Sequence, residues 1–123
     1  MSTAVNTEFM VIDLKKNRIR IRKSTLHAVG DPPYIQLMFN PISSVVAIRC
    51  VDRPEKGGQE TRIDWNKLSQ ADTSFEMYSQ PLMEEIAKTT TALSDGKVYR
   101  LAGSIYPRDR VVSFPLSSLQ VLE

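Results

Sequence analysis

Apolar and polar residues alternate strictly in RIRIR, residues 18–22, and this pattern predicts a β-strand. Ile19 and Ile21 then lie on one face and three arginines on the other, because successive strand side chains point to opposite faces. The next segment, STLHAVG, predicts a two-turn helix that begins at its Ser/Thr pair and ends at Gly30. YIQLMF and VVAIRCV, joined by the turn sequence NPISS, predict a hairpin. Residues 17–51 therefore predict a unit of strand, short helix and hairpin.

The same order of elements recurs in residues 74–116. SFEMY alternates as a strand, and Pro81 followed by two glutamates predicts the start of a helix with Leu82 and Ile86 on its apolar face. KVYRLAGSI, the turn YPRDR and VVSFPL predict a second hairpin. Between the two units, residues 52–60 contain two glycines, a proline and five charged residues, which predicts a loop. TRIDW, which follows, predicts a short edge strand.

Two hairpin sequences, PISSVVAI and PRDRVVSF, share the pattern Pro-x-x-x-Val-Val-x-Ile/Phe and stand 66 positions apart. The preceding strands and helix starts align at an offset of 56, and a ten-residue extension of the second helix and its exit loop accounts for the difference. We interpret this as duplication of one unit, and the alternative is two ordinary hairpins with similar turns. One such unit is too small to bury its apolar face, so the two are expected to interleave around a pseudo-two-fold axis.

The predicted fold class is α+β: a β-rich single domain, residues 1–123, of two pseudo-symmetric strand-helix-hairpin repeats. The expected core consists of Ile19, Ile21, Leu26, Ile35, Leu37, Phe39, Val46, Ile48, Phe75, Leu82, Ile86, Leu101, Val112 and Phe114.

Composition supports one globular domain, because 123 residues with 41% hydrophobic and 24% charged residues match an ordinary soluble protein. No apolar run approaches the roughly 20 residues of a membrane-spanning helix, so no membrane association is expected. The N-terminal MSTAVNTEF reads as a polar lead-in without the features of a secretory signal, and this predicts a cytoplasmic location. The single cysteine, Cys50, lies within VVAIRCV and is expected to be an inert core thiol.

Charge is distributed unevenly along the chain. The net charge is +2, but residues 1–50 hold seven Lys/Arg against three Asp/Glu and residues 51–123 hold nine against eleven. The densest basic segment is KKNRIRIRK, residues 15–23, with six basic side chains in nine positions. A basic strand face attracts phosphates, and it also protects an exposed strand edge from unwanted pairing. Both interpretations remain open for this segment.

The segment NRIRIRKSTLHAVG, residues 17–30, resembles the opening stretch of the bacterial swapped-hairpin transcription factors of the AbrB and MraZ kind. That family has Gly-Arg, an alternating apolar strand, a Pro, a short amphipathic helix and a terminal Gly over the same length. Asn17 replaces the first Gly, Arg22 occupies the position of the Pro, and Leu26 stands where the family usually has a basic residue. The resemblance implies a swapped-hairpin barrel, DNA binding and frequent oligomerisation.

No catalytic or metal site is predicted. His27 is the only histidine, and the chain contains no nucleophile-base spacing, metal-ligand cluster or nucleotide fingerprint. Glu84 and Glu85 are adjacent and so point about 100° apart on a helix, which is unsuitable for a cooperating carboxylate pair. We therefore expect a protein that is not an enzyme and that needs no cofactor.

The functional hypothesis is a small bacterial-type DNA-binding regulator or accessory protein. Arg18, Arg20, Arg22 and Lys23 are the expected contacts to the phosphates of double-stranded DNA. A homodimer would double this basic face. The alternative is a non-enzymatic interaction module that docks an acidic protein partner on the same strand.

Overall fold

The computed structural model describes residues 7–54, 60–68, 73–90, 93–94 and 96–122. They form one antiparallel sheet, two helices and a short 3-10 turn at residues Leu116–Ser118. The helices are α1 (Lys23–Ala28) and α2 (Gln80–Thr89). The strands are β1 (Thr7–Asp13), β2 (Arg18–Arg22), β3 (Tyr34–Asn40), β4 (Val45–Val51), β5 (Thr61–Arg62), β6 (Ser74–Met77), β7 (Val98–Tyr106), β8 (Val111–Pro115) and β9 (Gln120–Val121).

The strand order is β5-β3-β4-β8-β7-β1-β2-β6, and β9 pairs with β7. The sheet curls into a half-barrel, so the fold is a small β-rich domain of the α+β kind. Both predicted hairpins are present as β3–β4 and β7–β8, and TRIDW contributes the short edge strand β5. Of the predicted loop 52–60, residues 52–54 and 60 lie outside the strands, and residues 55–59 fall outside the described ranges.

Three hairpin turns of this sheet share one backbone conformation. Each turn has four residues, and its last residue adopts a left-handed conformation: Asn17 at φ 52°, Ser44 at φ 55° and Arg110 at φ 53°. In the first two turns a side-chain oxygen at the end of the preceding strand, from Asp13 or Asn40, accepts hydrogen bonds from the backbone N–H groups two and three residues later. Such local bonds stabilise the reversal of the chain and set the strand register.

Most of the expected core is buried; Leu37, Phe39 and Phe75 are half-buried against it. The predicted core did not include Met10 and Ile12, which are completely buried on β1. The buried apolar residues are Met10, Ile12, Ile19, Ile21, Leu26, Val29, Ile35, Val46, Ile48, Val51, Ile63, Met77, Leu82, Met83, Ile86, Tyr99, Leu101, Ile105, Val112 and Phe114.

Strand β1 corrects the interpretation of MSTAVNTEF as a polar lead-in, which is wrong from residue 7 onward. The strand lies between β2 and β7, with Met10 opposite Ile21 on one side and Leu101 on the other. Its sequence, TEFMVID, has two polar residues followed by four consecutive apolar ones, so no alternation marks it as a half-buried strand. Residues 1–6 lie outside the described ranges.

Helix α1 begins at Lys23, with Arg22 as N-cap and no side-chain cap, so the predicted start at the Ser/Thr pair is wrong. The Thr25 hydroxyl is 3.1 Å from Glu8 Oε2 on β1, and the Ser24 hydroxyl is 3.5 Å from the same oxygen. These hydroxyls therefore join the helix to β1 instead of capping it. Gly30 ends the segment as predicted, at φ 89°.

Gly103 on β7 leaves room for the aromatic side chain of the neighbouring strand β8, Phe114. A Cβ atom at this position would lie 2.3 Å from Phe114 Cδ1 and 2.4 Å from the Ser113 carbonyl oxygen. Phe114 is completely buried. A small residue on β7 is thus paired with a large one on β8, which fills the core without a void.

We expect Gly103→Ala to lower the free energy of unfolding by about 1–3 kcal/mol, because Phe114 or the β8 backbone must shift to admit the methyl group. Urea denaturation measures the change. Ser104→Ala, one residue further along β7 on the outer face, is the matched control and should stay within about 0.5 kcal/mol of the wild type. Equal stability of the two variants would contradict the packing described for Phe114.

Candidate nucleic-acid interface

Four neighbouring strands, β6, β2, β1 and β7, bring arginines together on the outer face of the sheet. In one row of the ladder Glu76 lies opposite Arg20, Arg20 opposite Val11, and Val11 opposite Arg100. Adjacent strands are about 4.8 Å apart, so the backbones at the two arginine positions are separated by about 10 Å. We define the arginine face as the outward side of these strands, which carries Arg18, Arg20, Arg22 and Arg100.

Arg18 joins the β1–β2 turn to β6. Its Nε donates to Asp13 Oδ2 at 3.2 Å, and its Nη1 donates to both carboxylate oxygens of Glu76 at 3.1 and 3.0 Å. Its side chain is only 17% exposed. Two of the three guanidinium nitrogens are thus bonded to carboxylates, so Arg18 acts first as a cross-link.

Arg20 occupies the centre of the arginine face with less complete pairing. Its side chain is 39% exposed, and its Nε lies 3.7 Å from Glu76 Oε1, within ion-pair range but beyond a hydrogen bond. This Nε is buried and, within the described residues, makes no hydrogen bond. Arg20 therefore keeps hydrogen-bonding capacity that its neighbours do not use.

Arg22 and Lys23 lie where β2 passes into α1. Arg22 is exposed, the most open of the four predicted contacts, and Lys23 is half-buried. The Lys23 backbone N–H donates to the Thr73 carbonyl at 2.9 Å, which fixes the start of the helix against β6. The predicted site is thus one continuous stretch of chain whose residues differ widely in exposure.

Arg100 belongs to this face but was missed by the sequence analysis. Its guanidinium carbon lies 4.4 Å from the centroid of the Phe9 ring, and its Nε donates to Gln120 Oε1 at 2.7 Å. A cation above an aromatic ring is attracted by the ring's electron-rich face. The alternation in KVYRLAGSI places Arg100 outward, but only the insertion of β1 brings it beside β2.

The charges of the face do not cancel. Four arginines oppose two carboxylates, Glu76 and Asp13, which leaves a net charge of +2, and the exposed Lys15 and Lys16 in the adjoining turn have the same sign. Phe9 and Val11, the apolar side chains at the centre, are half-buried. The face is therefore a basic surface and not an open apolar patch.

Asp13 is buried, and its carboxylate organises the turn next to the arginine face. Burial by itself raises the pKa of Asp13, but the N–H groups of Lys16 and Lys15 and the Arg18 guanidinium together outweigh it and hold the pKa below its ordinary value. The ionised form is thus the one that the fold stabilises.

Two further groups considered in the sequence analysis, His27 and Cys50, lie away from the arginines of β2. His27 is exposed, pairs with Asp31 and stacks on Trp65 with ring centroids 5.4 Å apart. Cys50 is half-buried, and burial is the main cause that raises the pKa of its thiol to about 11, so the thiolate is scarce at neutral pH. Within the described ranges, no three His, Cys, Asp or Glu side chains come together as a group that could hold a metal ion.

Comparisons with protein-family models, with curated proteins and with solved structures found no match. In the part of the chain that the structure describes, no helix has the length and apolar character needed to cross a membrane. The interpretation of the arginine face therefore depends on its own geometry.

We expect Asp13→Asn to lower the free energy of unfolding at pH 7 by about 1–3 kcal/mol, because the turn N–H groups and Arg18 lose an ionised acceptor. The pKa of Asp13 is lower in the folded state than in the unfolded chain, so its stabilisation is present above the unfolded value near 4 and is lost as the pH falls through the folded value. The difference between wild type and variant should therefore shrink as the pH falls below 4.

Urea unfolding at pH 7 and pH 3 measures this difference. Glu84→Gln, which alters an exposed carboxylate on α2, is the control and should change stability little at either pH. A constant gap between Asp13→Asn and the wild type across this range would contradict the role assigned to the carboxylate.

Proposed function

We propose that this protein is a small bacterial-type DNA-binding regulator or accessory protein that contacts the phosphates of double-stranded DNA. The observation that carries the proposal is the arginine face, on which two strands distant in sequence contribute arginines around a half-buried centre. Neutralisation of several phosphates releases counterions and drives such binding without any base contact. The proposal implies a location where DNA is present, the cytoplasm of a bacterial cell.

The residues of the site are assigned different roles in this proposal. Arg22 and Arg20 contact phosphates directly, because they are the more exposed arginines of β2. Lys23 adds charge at the start of α1, and Arg100 extends the contact across β1. Arg18 holds Glu76 and contributes to binding when that carboxylate is displaced.

The rival function is a module that docks a protein partner on the same strand. A stable protein interface usually has an apolar core surrounded by polar residues. Phe9 and Val11 are half-buried, and Phe9 is covered by Arg100, so the centre of the face offers little apolar surface. This favours a polyanion over an apolar docking partner.

We infer further that residues 17–51 and 74–116 are repeats related by a pseudo-two-fold axis, with hairpins exchanged between the halves as the AbrB and MraZ resemblance implies. The β2–β6 ladder has Arg20 opposite Glu76, 56 positions away, with two matched pairs flanking them. The β4–β8 ladder is centred on Ala47 opposite Ser113, 66 positions away. Both offsets equal those predicted from the sequence, and this agreement supports the duplication.

Two backbone hydrogen bonds between the hairpins are also related by the offset of 66 positions. The Leu116 N–H donates to the Ser44 carbonyl at 2.9 Å, and the Cys50 N–H donates to the Arg110 carbonyl at 3.0 Å. Adding 66 to Cys50 and Ser44 gives Leu116 and Arg110, so one bond is the counterpart of the other. The repeats differ at the axis itself, where Arg20 has Glu76 as its counterpart, so three of the four arginines of the arginine face belong to the first repeat.

The proposed DNA contact is tested with the triple variant Arg18→Ala, Arg20→Ala, Arg22→Ala and a fluorescent duplex. We expect wild-type affinity to fall steeply as salt rises, and the variant to bind at least about tenfold more weakly at low salt with a smaller salt slope. The matched control, Arg62→Ala, Lys67→Ala, Lys88→Ala, removes the same charge from exposed positions elsewhere and should retain most of the affinity.

Circular dichroism establishes that both triple variants remain folded. Absence of wild-type binding even at low salt would overturn the proposal and favour the protein-interaction module. Equal losses in the two triple variants would show that only net charge matters and would remove the arginine face as the site.

We expect Glu76→Gln to strengthen DNA binding several-fold at low salt, because the carboxylate that occupies Arg18 and Arg20 competes with phosphate. Fluorescence anisotropy with the same duplex measures the change. Glu84→Gln makes the same charge change on α2 and should have a smaller effect. Weaker binding by Glu76→Gln would mean that the carboxylate positions the arginines instead of competing for them.

A further inference from the structure

Tyr78, directly after β6, is the most exposed of the described tyrosine, tryptophan and phenylalanine residues, at 69%. It stands two positions beyond Glu76, so the alternation of strand side chains places both on the outer side of the sheet. Met77 between them is only 7% exposed, in agreement with this alternation. Continuing the β2–β6 register by one residue places Tyr78 opposite Arg18. Tyr78 therefore adjoins the arginine face.

Arg18, at this end of the arginine face, is largely occupied within the protein. Its side chain is 17% exposed, and its guanidinium donates to Asp13 and Glu76. Arg22 is exposed and lies about 13 Å away at the other end of β2, because each residue advances a strand by about 3.3 Å. An exposed arginine thus marks one end of β2, and the exposed Tyr78 lies beside the other.

The charges around Tyr78 favour an anion. The turn that leads into Arg18 contains two exposed cations, Lys15 and Lys16. Together with Arg18 they make three positive charges against the two carboxylates that Arg18 binds, which leaves a net charge of +1 at this end of the face. A phosphate that contacts Arg20, the diagonal neighbour of Tyr78 at about 7–8 Å, lies within the same basic surroundings.

A tyrosine can contact the DNA backbone without adding a charge. Its hydroxyl is a hydrogen-bond donor, and tyrosine is among the side chains that donate to phosphate oxygens in protein–DNA complexes. Among the residues that the structure describes, none forms a hydrogen bond with the Tyr78 hydroxyl. The donor is thus available to a ligand that approaches the outer face.

We propose that the Tyr78 hydroxyl donates a hydrogen bond to a phosphate oxygen of the DNA duplex, beside the arginine that the fold holds most firmly on this face. The inference rests on the proposed DNA contact and extends it from β2 to the end of β6. Arg22, Arg20 and Tyr78 then form one diagonal line of contacts across the β2–β6 pair. The first two contacts are ionic, and the third is not.

Titration of a fluorescent duplex with Tyr78→Phe at several salt concentrations tests this contact. We expect the variant to bind about three- to tenfold more weakly, because it loses one hydrogen bond to a phosphate. The slope of log affinity against log salt should equal that of the wild type, because an uncharged side chain releases no counterion. Tyr106→Phe is the matched control, at a half-buried outward position at the far end of β7, and should bind like the wild type.

A charged substitution provides a second readout at the same position. If Tyr78 faces a phosphate, Tyr78→Arg should bind at least as tightly as the wild type and make the salt slope steeper by about one, because the new cation neutralises one more phosphate. Tyr106→Arg adds the same charge elsewhere and should leave the slope unchanged.

The outcomes separate this inference from the proposed function. A wild type that does not bind the duplex at low salt overturns both. Wild-type binding that depends on salt, together with an unchanged affinity of Tyr78→Phe, overturns only the role of Tyr78. The same holds if Tyr78→Phe alters the salt slope, if Tyr106→Phe loses as much affinity, or if Tyr78→Arg leaves the slope unchanged.

Discussion

The fold depends on the antiparallel pairing of β4 with β8, which joins the two hairpins into one sheet. An isolated two-stranded hairpin is at best marginally stable in water, because its apolar face lacks a cover. In this ladder Val46 faces Phe114 and Ile48 faces Val112, and all four side chains are completely buried. Each hairpin thus places buried apolar side chains beside those of the other. The remaining strands extend the same sheet.

Strand β1 joins the two parts of the arginine face. It lies between β7 and β2, so it connects the second hairpin with the basic strand of the first half. Arg20 and Arg100 are 80 positions apart in the sequence. They share one surface because β1 pairs with β2 on one side and with β7 on the other. The chemistry of the arginine face is therefore a property of strand order and not of any local motif.

The sequence predicted those elements whose apolar period is unbroken. The arginine strand with Ile19 and Ile21 inward, both long hairpins and the short β5 could all be predicted because alternation and turn residues agree there. Strand β1 was missed because its four consecutive apolar residues, Phe9 to Ile12, show no alternation. The Ser/Thr pair was expected to begin α1, but its hydroxyls contact Glu8 on a distant strand instead of capping the helix. Arg100 was also missed, because its neighbours on the face lie on β1, β2 and β9, and no local sequence pattern predicts that these strands come together.

The arginines differ in how many of their side-chain N–H groups are already bonded within the protein. Arg110 has a left-handed backbone, and its guanidinium donates to the Val29 carbonyl at 3.2 Å and to Asp52 at 2.7 Å. Arg18 is similarly committed to two carboxylates at the other end of the sheet. These two side chains hold strands and turns together, so their charge is largely used within the molecule. Among the described residues, Arg20 and Arg22 are not held in this way, and they are the more exposed arginines of β2.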